Sequence, residues 1–153
     1  MGDVRRILEF CFRARQIRLE REVHQAGQAI ERLRQELTDC EERLRDQERE
    51  RQEARRAPES ASVTVGDLER QQLLLADYGR RIRSQEGMAA EIRTELAGTI
   101  ARREGLLQDL YGIHRRQEKA RLLALDEADE ERQALERLDE EQLDDQYGVR
   151  FGH

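Results

Sequence analysis

The chain has almost nothing with which to fill a wide core. Aromatic residues make up 4% of its 153 residues, tryptophan is absent, and 37% are hydrophobic against 41% charged. That balance excludes a broad globular interior and suits a narrow seam between helices. Proline occurs once, at Pro58. Elsewhere no proline prevents long helices. Cysteine is nearly as scarce: Cys11 and Cys40 would stand about 44 Å apart on one helix, too far for an intrachain disulfide. They read as small apolar residues in a reducing compartment.

Other absences remove whole classes of function. The net charge is −6 and no basic block stands clear of glutamates, so nucleic acid is not an expected partner. No apolar stretch approaches the roughly 20 residues that span a bilayer, and no apolar signal region follows Met1, so a soluble, cytoplasmic chain without membrane insertion is expected. His24, His114 and His153 are far apart and no Cys-x-x-Cys occurs, which gives no metal-ligand pattern. The glycines lie singly within helical sequence instead of forming a phosphate loop. Carboxylate pairs abound, but nothing desolvates them into acid/base pairs. The expectation is a protein without catalytic residues or cofactor, not an enzyme.

What is present is periodicity. Leu19, Val23, Ala26, Ile30, Leu33, Leu37, Cys40 and Leu44 alternate steps of four and three, the spacing of a coiled-coil seam. The seam then decays into Gln47, Arg51 and Ala54 within a mixed-charge run. Upstream of Leu19, the apolar residues Val4, Ile7, Leu8, Phe10, Cys11, Phe12, Ala14 and Ile17 spread over more than one face, which implies more than one neighbour. Arg5, Arg6, Arg13, Arg15, Arg18 and Arg21 make that end basic outside.

The stretch 57–67, APESASVTVGD, interrupts the helical pattern. Pro58 disfavours helix at Ala57, and Thr64 with Asp67 reads as an N-cap with an acid three residues on. One helix stops and another starts. The expected fold is all-α, a long antiparallel two-helix coiled-coil hairpin with the second helix overhanging. The single hairpin would cover 1–153, with helix 1 over about 3–56, a turn over 57–66, helix 2 over about 67–146 and a tail over 147–153, Gly148 serving as C-cap.

In the second helix the seam reads Leu68, Leu75, Tyr78, Ile82, Gln85, Ala89, Ile92 and Leu96. A step of four to Ile100 is a stutter, after which Arg103, Leu107, Leu110 and His114 resume the pattern. Folding near residue 61 pairs residue i with about 122 − i, which puts Val4 near Glu118 and leaves about 28 residues of helix 2 overhanging. There Leu122, Leu123 and Leu125 form an apolar patch, followed over 126–145 by 11 acids against Arg132 and Arg137. A leucine patch beside an acidic unpaired helix suggests a docking end.

This layout resembles a known family, the central stalk proteins of type III secretion systems (the SctO/YscO group, related to the flagellar FliJ). The resemblance rests on RARQIRLERE at 13–22, DLERQ at 67–71, and HRRQEK at 114–119 leading into LDEADEE at 125–131. It implies a hairpin with its terminal end inside the secretion ATPase hexamer and its turn end reaching the export gate's cytosolic domain, beside the membrane apparatus, with secretion chaperones as further partners. Onto that topology the sequence places an ATPase end at Arg13, Arg15, Arg18, Leu122, Leu123 and Leu125, and an export-gate end at Leu74, Leu75 and Tyr78. A monomer is expected when free. The alternative is a homodimeric coiled-coil scaffold or adaptor unrelated to secretion, with the seam closed between two chains.

Overall fold

The computed structural model describes residues 2–56 and 63–151, with side chains through 148. Two helices account for nearly all of them: α1, Gly2–Arg56, and α2, Val65–Phe151. The fold is the expected all-α helical hairpin, with no strand among the described residues. The proline break at 57–62 lies outside them.

The start of α2 is built as its sequence requires. The Asp67 amide donates to the Thr64 hydroxyl at 3.2 Å, and the Thr64 amide donates to Asp67 Oδ2 at 3.2 Å. The Asp67 amide also reaches the Thr64 carbonyl at 3.1 Å, so the cap shares one first-turn donor between two acceptors, and removing such a hydroxyl typically costs about 1 kcal/mol. At its other end α2 runs past the expected boundary near 146. Gly148 stays helical without the left-handed conformation that a C-cap needs, and the helix continues to Phe151.

By contacts the chain forms two compact units. One comprises 20–107. Its core is Ala26, Ile30, Leu33 and Cys40 of α1 against Ile82 and Ala89 of α2, all buried, with Val23, Leu37, Leu44, Ile92 and Leu96 half-buried between them. Cys40 is fully enclosed and donates from Sγ to the Gln85 carbonyl and Oε1, both at 3.4 Å. Gln71 Nε2 donates to the Ala54 carbonyl at 2.9 Å. Residue i of this unit therefore meets residue 125 − i, not 122 − i. The seam keeps its phase through Gln47, Arg51 and Ala54, all half-buried, while Leu68 lies exposed. At that polar end Gln47 Oε1 and Arg51 Nε are enclosed with no hydrogen-bond partner. Burying such atoms unpaired costs free energy, so the seam is weakest there.

The other unit comprises 1–19 and 108–153. Leu19 and Ile113 are buried, and Phe12, Gln16, Leu110, Gln117 and Ala124 are half-buried. Gln117 Nε2 donates to Gln16 Oε1 at 3.0 Å, a pairing well beyond the expected partner of Gln16 near residue 106. The start of α1 thus reaches farther along α2 than its placement beside Glu118 implied. Arg5 and Leu8 share a groove with Gln117, Ala120 and Arg121, and fully exposed sequence begins at Leu125.

The stutter expected after Leu96 is absent from the burial pattern. Thr99, Leu106, Leu110, Ile113 and Gln117 turn inward, and with exposed Arg103 they continue the four-three alternation unbroken. Ile100 is half-buried beside Thr99, but Leu107 is 41% exposed and His114 is exposed. A search for apolar residues follows Ile100 and Leu107, whereas the helix keeps its phase through a threonine and an arginine.

Candidate functional site

The residues expected at the terminal end all belong to the unit of 1–19 and 108–153, but they are not one cluster. Arg13 lines the groove of about 420 Å³ whose apolar floor is Leu8, Phe12 and Ala120, with Arg5, Glu9 and Arg121 also on its walls. Arg15 and Arg18 are exposed on other sides of α1. Leu122, Leu123 and Leu125 are about half exposed, while Ala124 between them turns inward. Leu122 borders a shallower hollow with Gly112, Arg115, Arg116, Glu118 and Lys119. The groove residues left out of the expected site are Leu8, Phe12, Ala120 and Arg121, of which Leu8 and Phe12 read in the sequence only as apolar positions spread over more than one face. Arg121 lies in the run that joins HRRQEK to the leucines, and its pairing with the start of α1 depends on a register that the sequence misjudged.

Charge on this end is only partly tied down. Arg121 forks onto Glu118 at 2.7 and 3.2 Å, and these hydrogen bonds, then the guanidinium charge, hold the Glu118 carboxyl below its usual range. A lowered carboxylate gives stability above its ordinary range that is lost as pH falls through the lowered value, but at this exposed pair solvent makes the effect small. The Arg115 guanidinium lies 5.6 Å from the Tyr111 ring centre, a cation–π contact on the outer surface. Over 125–148 every residue is exposed, including Leu135, Leu138 and Leu143.

The residues expected at the export-gate end lie in the unit of 20–107. Leu75 and Tyr78 are half-buried in the seam, and Leu74 stands off it at 46% exposed beside the more exposed Leu73. Leu74 is thus free to meet a partner, whereas Leu75 and Tyr78 mainly hold the helices together.

Among the described residues, no cluster of three His, Cys, Asp or Glu could hold a metal ion. No helix there is long and apolar enough to cross a membrane. Comparison with family models, curated proteins and solved structures finds no match.

Proposed function

We propose that this chain is a non-enzymatic central stalk of a type III secretion system, linking the cytoplasmic secretion ATPase hexamer to the cytosolic domain of the export gate and binding or escorting secretion chaperones. The observation that carries the reading is the chemical difference between its two units. In the unit of 1–19 and 108–153, exposed arginines and leucines adjoin an acidic exposed helix; in the unit of 20–107, a polar seam carries the outward Leu73 and Leu74. A linker between two rings needs unlike ends, and charge complementarity selects which ring each end meets. The seam of residues 20–107 is filled within one chain, which favours the stalk over a scaffold whose seam closes between chains.

Charge reversal tests the ATPase end. In Arg13→Glu/Arg15→Glu/Arg18→Glu, pull-down of the ATPase is expected to weaken by about tenfold or more, with loss of turnover stimulation. Unchanged binding and turnover would sink the assignment. Leu74→Ala is the matching probe of the gate end, since truncating Leu75 or Tyr78 also damages the seam.

A further inference from the structure

Two apolar faces of the unit formed by 1–19 and 108–153 have no partner among the described residues. On α1, the residues Phe12, Gln16 and Leu19 face the seam. Ile7, Phe10, Ala14 and Ile17, spaced three, four and three, lie on the opposite side of the helix at 3.6 residues per turn. All four are exposed, Phe10 by 74%. On α2, Ala128, Leu135 and Leu138 keep heptad spacing beyond the paired region, with Glu131 and Gln142 at the other positions of the stripe, and are likewise exposed. Both stripes have the spacing that buries a face against another helix.

The flanks of the two stripes are of opposite sign. Residues 2–21 carry six arginines against Asp3, Glu9 and Glu20, whereas 126–145 carry −9. Their helical lengths match, at about 30 Å each. They do not meet within one molecule, because the α1 stripe lies on the side of its helix away from α2, and unbroken α2 carries Leu135 about 21 Å beyond Arg121.

We infer that a second copy of this chain covers both faces: the acidic 126–145 helix of each copy lies on the basic outer face of α1 of the other. Every copy offers one face of each kind, and in the reciprocal arrangement two identical contacts close a two-fold dimer with both faces of each copy covered. This dimer differs from a scaffold joined through the central seam, and from the monomer expected of a chain whose seam closes on itself. It does not rest on the stalk reading, and because it covers α1 arginines and the acidic helix that the stalk reading gives to the ATPase, dimerisation and ATPase binding would exclude each other.

Light scattering on the full chain over a concentration series tests it. The mass is expected to rise toward twice 18.0 kDa, and less steeply as salt increases. Phe10→Glu/Ile17→Glu and, separately, Leu135→Glu/Leu138→Glu should each weaken association on the order of 100-fold, with helical circular dichroism unchanged. The second pair lies on exposed helix outside any core, so its effect is not a folding defect. A mass that stays at 18.0 kDa at every concentration overturns the inference, and leaves the faces to a different partner. Dimerisation unaffected by either double substitution also overturns it, since a dimer through the central seam would behave that way.

Discussion

Ile113→Ala is expected to lower stability by about 2–5 kcal/mol, whereas His114→Ala next to it shifts stability by less than about 0.5 kcal/mol. Ile113 is 2% exposed and is one of two buried apolar side chains that anchor the start of α1 to α2, the other being Leu19. Truncation removes its apolar area from the seam and leaves a cavity that two long helices close only partly. His114 points to solvent. Urea unfolding followed by circular dichroism separates the cases. A costly His114 beside a mild Ile113 would restore the stuttered register and refute the unbroken one.

The second large effect is a gain. Gly87→Ala, Gly98→Ala and Gly105→Ala combined should stabilise α2 by about 2.5–3 kcal/mol, seen as a rise in Tm of roughly 6–12 °C. All three glycines are exposed and helical, and an added Cβ at each meets nothing within 4 Å. Alanine therefore removes the entropic cost of glycine without strain. Gly98, Gly105 and Gly112 repeat every seven residues, and an added Cβ at any of them meets nothing within 4 Å. If the glycine face admits a partner, the stabilised variant will lose that partner's binding while it gains Tm. An unchanged Tm would mean that the helix around these positions is not formed in solution.

These two cases show where the sequence is legible. From Leu19 to Leu44 the apolar steps admit one phase, and burial follows it residue by residue. The Thr64/Asp67 cap is equally readable, because it is made by residues three apart whose chemistry has little else to do there. In α2 beyond Leu96, adjacent pairs such as Leu106 with Leu107 offer two phases of similar apolarity. Continuity through Thr99 and Arg103 decides between them, and a hydropathy pattern gives polar residues no weight. The register between helices is hidden for another reason: the apolar steps give each helix its own phase but not its offset along the other, and that offset differs between the pairs Cys40 with Gln85 and Gln16 with Gln117. The groove at Leu8, Phe12 and Ala120 follows from that register, which is why its walls escaped sequence reasoning. Leu74, standing off the seam, was legible from spacing alone.

The two cysteines divide between the two units, and their surroundings differ. Cys11 is exposed on the start of α1, and Cys40 is sealed in the seam with its thiol on the Gln85 carbonyl. An alkylating reagent should therefore reach Cys11 directly and Cys40 only during moments when residues 20–107 come apart. In the regime where closing outpaces alkylation, the ratio of the two rates gives the population of that open form directly. The native chain thus carries its own clock for the separation of its helices, with a built-in standard for reagent reactivity.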